Sequence, residues 1–210
     1  MIIVLDGVDA TGKSTLSRKI AGSIGARTIG EFSDSDLGNL ITKIIEHERF
    51  FSLSKSQDTG VADFFTILAD AVLKYEVQGA RRDETVLMDR GLVSAFGYQL
   101  FRLGAISVQM ESKELVRMLQ SFIETSVPSV ATAVHINLEV SRDAMQARVV
   151  ERGEVPLSEP QIEALLGIQD AMREIGSAFG AIQIDTSGKS LDQVASSVAR
   201  SLDGLGMRFS

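Results

Sequence analysis

An α/β fold with a parallel sheet covered by helices on both faces is predicted by three observations. Short, wholly apolar runs recur along the 210 residues; apolar positions recur every three or four residues between them; and the two patterns alternate. Residues 2–5, Ile2-Ile3-Val4-Leu5, are apolar throughout, as a strand buried on both faces requires. Further strand-like runs at 27–29, 85–88, 133–138 and 181–184 bring the sheet to five strands. Helical periodicity predicts helices over 13–24, 37–46, 61–77, 111–125, 142–152, 159–179 and 191–202.

Residues 1–210 read as one domain, since no Pro/Ser-rich linker or repeat interrupts them and the three prolines (Pro128, Pro156, Pro160) are scattered. A net charge of −7, with no basic block beyond Arg81-Arg82, argues against nucleic-acid binding, and that pair reads as a solvated loop before the third strand. The absence of cysteine excludes disulfides and thiolate metal sites. No apolar stretch reaches membrane-spanning length and the first residues enter a strand without a signal-peptide pattern, so a cytoplasmic protein without membrane contact is expected. His47 and His135 have no ligand or carboxylate cluster at metal spacing and are assigned no chemistry.

The segment Gly7-Val8-Asp9-Ala10-Thr11-Gly12-Lys13-Ser14 matches the phosphate-loop pattern G-x-x-x-x-G-K-[ST] in full, between a predicted strand and a predicted helix. The glycines permit a tight turn that brings successive amides onto phosphates, and the helix dipole favours the anion. Lys13 reaches the β- and γ-phosphates, and the Ser14 hydroxyl suits Mg²⁺. A nucleoside triphosphate, ATP with Mg²⁺, is the expected ligand.

In a parallel sheet ligands bind beyond the carboxyl ends of the strands. The third strand ends Met88-Asp89-Arg90-Gly91, placing Asp89 to serve the metal and Arg90 to clamp an acceptor phosphate. Arg148 and Arg152 share a helix face four residues apart, before Gly153, Pro156 and Pro160 end that helix. An arginine-bearing segment over about 148–160 suits a lid that neutralises the γ-phosphate and excludes water.

These residues together resemble the thymidylate kinase family of nucleoside monophosphate kinases, over about residues 1–203. The phosphate loop through Thr15, the Asp89-Arg90 pair followed by Ser94 and Tyr98-Gln99, the arginines Arg148 and Arg152, and the closing Ile184-Asp185-Thr186-Ser187 are similar to the family's motifs. The resemblance implies a three-layer P-loop kinase fold with a short lid, and transfer of the ATP γ-phosphoryl to a nucleoside monophosphate, dTMP first. It implies a donor site of Gly7, Asp9, Ala10, Thr11, Gly12, Lys13, Ser14, Thr15 and Asp185. Mg²⁺ falls to Ser14 and Asp89. The acceptor falls to Asp9, Glu31, Phe64, Phe65, Arg90, Ser94, Tyr98 and Gln99, and catalysis to Lys13, Asp9, Arg90, Arg148 and Arg152. Ala10 stands where some members have an arginine, leaving charge stabilisation to Arg148 and Arg152. A homodimer is implied as well, with Phe64, Phe65, Leu68 and Val72 as candidate interface residues.

The departures all fall on the acceptor side. Gly30-Glu31-Phe32-Ser33-Asp34-Ser35 keeps the family's Glu but lacks its Arg and Pro. Asp70-Ala71 lacks the base-reading arginine, and Ala95 replaces a polar base reader. Loss of such groups removes discrimination between bases. A nucleoside kinase with Asp9 or Glu31 as general base, another small-molecule kinase, and a nucleotide-binding module without activity therefore stand as alternatives. A GTPase-type switch lacks its N-K-x-D motif here.

Overall fold

The computed structural model describes residues 1–47, 60–79, 84–102 and 110–204; Arg81-Arg82 lies outside them. Five strands, β1 (Ile2–Gly7), β2 (Arg27–Ile29), β3 (Val86–Asp89), β4 (Val134–Glu139) and β5 (Ile182–Asp185), form one sheet in the order β2-β3-β1-β4-β5. All four pairings are parallel, and β1 aligns Leu5 with Asp89 of β3 on one side and with Ile136 of β4 on the other.

The helices are α1 (Lys13–Ile24), α2 (Asp36–His47), α3 (Gly60–Gly79), α4 (Leu92–Arg102), α5 (Met110–Ser126), α6 (Pro128–Ala131), α7 (Arg142–Glu151), α8 (Glu159–Ala178) and α9 (Leu191–Asp203). Strand side chains alternate between faces, which divides the core in two. Ile3 and Leu5 of β1 pack with Leu16 and Ile20 of α1 and Val194, Val198 and Leu202 of α9. Ile2 and Val4 pack on the opposite face with Phe64 and Leu68 of α3, Phe96 of α4, and Ile168 and Met172 of α8.

Two helices differ from the sequence expectation. Residues 91–97 at the start of α4 are all buried, between α3 and α8, and its polar Ser94 and Gln99 lie inside with the apolar residues, although the sequence expectation has no helix there. The four-residue α6 is too short to carry a pattern.

The site is placed by the order of connections. After β1 the chain turns to α1 on one face, and after the adjacent β3 it turns to α4 on the other. Neighbouring strands whose exits diverge in this way leave a crevice at their carboxyl ends.

Candidate active site

The phosphate loop follows β1. Gly7 has φ +143°, and a Cβ there would sit 2.6 Å from the Leu138 carbonyl oxygen, so only glycine fits. Gly12, at φ +89°, caps α1 without a side-chain hydrogen bond, whereas Ser141 and Ser190 accept from the first turns of α7 and α9. The α1 amides are thus left for an anion. Lys13 is buried, its Nζ donating to the Val8 carbonyl at 2.8 Å and lying 3.4 Å from Thr11 Oγ1. Burial, aided by Arg90, pushes the Lys13 ammonium down to about 8 against the pull of Asp9, Asp89 and Glu31.

Ser14 Oγ donates to Asp89 Oδ2 at 2.8 Å, and the other oxygen, Oδ1, is buried without a hydrogen-bond partner. A hydroxyl beside a carboxylate with a spare buried oxygen fits Mg²⁺, which keeps its remaining positions for water and phosphate. Among the described residues no three His, Cys, Asp or Glu side chains form a metal-holding group, so this pair suits a metal shared with a nucleotide.

Arg90, next in the chain, has φ +61°, and Ala10 of the loop has φ +63°; both are conformations that a Cβ disfavours. The Arg90 guanidinium meets Asp9 Oδ1 at 2.5 Å, Glu31 Oε1 at 2.9 Å and the Gly7 carbonyl at 3.2 Å. It also lies 4.7 Å from the centre of the Tyr98 ring. Enclosure alone would push Asp9 up, but Arg90 and Lys13 hold its carboxyl below the ordinary range.

Arg148 of α7 donates to the Ala10 carbonyl and to Thr186 Oγ1, each at 2.9 Å, and to the Thr186 carbonyl at 2.6 Å. It ties the lid helix to the phosphate loop and to the turn after β5. Arg152, half exposed, lies one turn on with Glu154 3.4 Å away. The segment beyond is anchored where the Gln146 amide exchanges hydrogen bonds with the Leu157 backbone, and where Arg142 pairs with Glu159 and Glu163.

Asp9, Ala10, Gly12, Lys13, Ser14, Thr15, Glu31, Asp89, Arg90, Arg148 and Arg152 line one cavity of about 480 Å³, joined by Glu151. Other expected residues lie elsewhere. Phe64 is core, packed against Phe96, and cannot present a stacking face; Phe65 is exposed on α3. Ser94 and Gln99 are buried in α4. Asp185 ends β5 and accepts from the Ser187 amide and hydroxyl, outside the cavity lining.

No protein-family model matches the chain. A curated relative from Methanococcus maripaludis, described as a probable thymidylate kinase, is 25% identical over 195 residues, 91% of this chain and 89% of the relative. Among solved structures, the thymidylate kinase from Candida albicans superposes with TM-score 0.64 at 14% identity, covering 98% of this chain and 92% of that one. The deoxyadenosine kinase from M. mycoides gives TM-score 0.61 at 15% identity, covering 97% and 100%.

The fold is that of the P-loop kinases. Within it, three side chains play parts that periodicity and motif did not reveal. Asp6, fully buried in β1, accepts from the amides of Gly91 and Ser94 and so caps α4 from another element. Thr186, buried after β5, receives Arg148. Lys74, on α3, is buried with its ammonium turned to backbone carbonyls at the acceptor side. The sequence signal for Asp6 and Lys74 was a charge inside an otherwise apolar run, a pattern that marks a buried, partnered group.

Proposed function

We propose that this chain transfers the γ-phosphoryl group of ATP to a (deoxy)nucleoside monophosphate, with dTMP to dTDP as the first reaction to test. The carrying observation is that Lys13, Ser14 and Asp89 face Arg90, Asp9 and Glu31 within one cavity, with Arg148 and Arg152 at its edge. The thymidylate kinase relative supports the choice of dTMP. Lys13 and the uncapped α1 amides hold the donor phosphates, and Ser14 and Asp89 hold Mg²⁺. A Mg²⁺ ion held by these two side chains would supply charge neutralisation for the transferring phosphoryl group. Arg90 exchanges a carboxylate for the acceptor phosphate, while Asp9 orients the acceptor and Arg152 closes on the transferring group. No general base is required, because a phosphate oxygen is already an anionic nucleophile.

One observation favours a second reading, a nucleoside kinase. Arg90 is already met by two carboxylates, and Glu31, half exposed, stands at the cavity where it could take a proton from a hydroxyl acceptor. The fold likeness to a deoxyadenosine kinase is in keeping with it. ADP release from ATP–Mg²⁺ across a panel of monophosphates and nucleosides separates the two. Stimulation by dTMP or another monophosphate supports the first reading; stimulation by nucleosides alone supports the second. ATP binding without stimulation by either would point to a binding module.

The reading extends to one catalytic unit over residues 1–210 with a lid near 148–160, and to a cytoplasmic homodimer. Of the α3 residues considered for the dimer, Phe64 and Leu68 face the core and Val72 packs partly against it, which leaves Phe65 exposed, with the neighbouring Val61 beside it on the surface. Among the described residues no helix is long and apolar enough to cross a membrane.

A further inference from the structure

Lys74 is 1% exposed, and its ammonium sits among four carbonyl oxygens: Gly30 at 2.7 Å, Glu31 at 3.0 Å, Asp89 at 2.8 Å and Arg90 at 2.7 Å. An ammonium left buried and unpaired is strongly disfavoured, so this cluster is a fixed part of the fold. Its place in the sheet explains the need for it. The ladder between β2 and β3 runs from Arg27↔Val86 to Ile29↔Met88 and ends there. Gly30 and Asp89 are the first residues past it. Three of the four residues whose carbonyls Lys74 takes, Glu31, Asp89 and Arg90, also line the cavity with their side chains. One turn earlier on α3, Asp70 accepts from the amide and the hydroxyl of Ser33, so the same helix face grips the loop after β2 twice.

We propose that Lys74 is a positioning residue for the acceptor half of the site, its ammonium replacing the missing ladder between β2 and β3 and so fixing Glu31 against Arg90. Arg90 depends on this most. Its backbone is held at φ +61°, and a strained conformation persists only where its surroundings fix it. The Lys74 bond to its carbonyl is one such constraint, and the guanidinium's reach to Asp9 and Glu31 follows from it. The phosphate loop and α1 receive no hydrogen bond from Lys74, whose one link to the metal pair is through the Asp89 backbone carbonyl and not its carboxylate.

This inference rests on the kinase reading for its kinetic test but has a second readout that does not. Lys74→Arg keeps the charge but replaces the compact ammonium by a planar donor fork, Lys74→Gln keeps two donors without charge, and Lys74→Met keeps none. With dTMP as the probe, wild-type turnover tests the kinase reading by itself. The variants should then raise the KM for dTMP in the order Arg, Gln, Met, by at least about tenfold in the last, with the KM for ATP within about twofold. Amide hydrogen exchange should accelerate in residues 30–35 and 89–92 together in Lys74→Gln, while residues 7–15 stay unchanged. Those exchange rates decide the matter even if dTMP is not turned over. Equal changes in both KM values, unchanged exchange at the two strand ends, or loss of cooperative melting in the Arg and Gln variants alike would overturn the proposal.

Discussion

Ser14 Oγ donates to Asp89 Oδ2 at 2.8 Å, joining the first turn of α1 to the end of β3 across 75 positions of sequence. The buried, unpartnered Asp89 Oδ1 points the pair toward a cation. Asp89→Asn keeps the shape but removes the charge, so it should raise the Mg²⁺ concentration for half-maximal rate and lower kcat by about 10²-fold. A Mg²⁺ titration of wild type and variant checks this; superimposable curves would remove Asp89 from the metal site.

The two lid arginines should separate in kinetics. Arg152 is half exposed and held only by Glu154 at 3.4 Å and the Arg148 carbonyl at 3.3 Å, so Arg152→Ala should lower kcat by roughly 10²-fold with little change in the KM for ATP. Arg148 has its donors committed to Ala10 and Thr186, so Arg148→Ala should also raise the KM for ATP and cost about 1–3 kcal/mol of stability. Lys13→Ala should abolish turnover. Steady-state kinetics with a urea melt of each variant test the division, and an unchanged kcat in Arg152→Ala would exclude that residue from the transition state.

Glu31 distinguishes the two acceptor chemistries. Arg90 bonds it at 2.9 Å, and a monophosphate would displace it, so Glu31→Gln should leave monophosphate turnover within about tenfold. If the acceptor is a hydroxyl, the same change removes the base and should cost about 10²–10⁴-fold. Measuring Glu31→Gln against the acceptor found in the panel assigns its role.

The sheet and the donor site were legible in the sequence because each rests on local chemistry. Five apolar runs became five strands, and the phosphate loop carries its geometry in Gly7, Gly12 and Lys13. The acceptor side was less legible because it is built from tertiary contacts. Arg90 acquires its carboxylate partners from the phosphate loop and from the turn after β2, 81 and 59 positions away. Phe64 and Phe65 are adjacent and chemically alike, and only the packing of α3 sends one inward and leaves the other in solvent. Helix α4 was missed for another reason: its polar Ser94 and Gln99 are buried among the apolar residues, so polarity there does not mark a solvent face.

Asp6 ties the folded state to pH. Its Oδ1 accepts from the Gly91 amide at 2.8 Å and the Ser94 amide at 2.9 Å, and Oδ2 faces His135 Nδ1 at 3.5 Å. Burial by itself would push this carboxyl up, but His135, the Ser94 side chain and the Gly91 amide together hold it below its ordinary 3.8. A depressed pKa in the folded protein contributes stability above the unfolded value and loses it as pH falls below that value. Asp6→Asn keeps one acceptor for the α4 amides but removes the charge facing His135. It should therefore cost about 2–4 kcal/mol at neutral pH. The gap between wild type and variant should narrow as pH drops below 3.8, because the unfolded wild-type chain then takes up a proton that the folded carboxylate does not. Urea melts at neutral pH and at about pH 3.5 measure that gap. A gap that stays constant would show that Asp6 acts through shape and hydrogen bonding, with no protonation linked to folding.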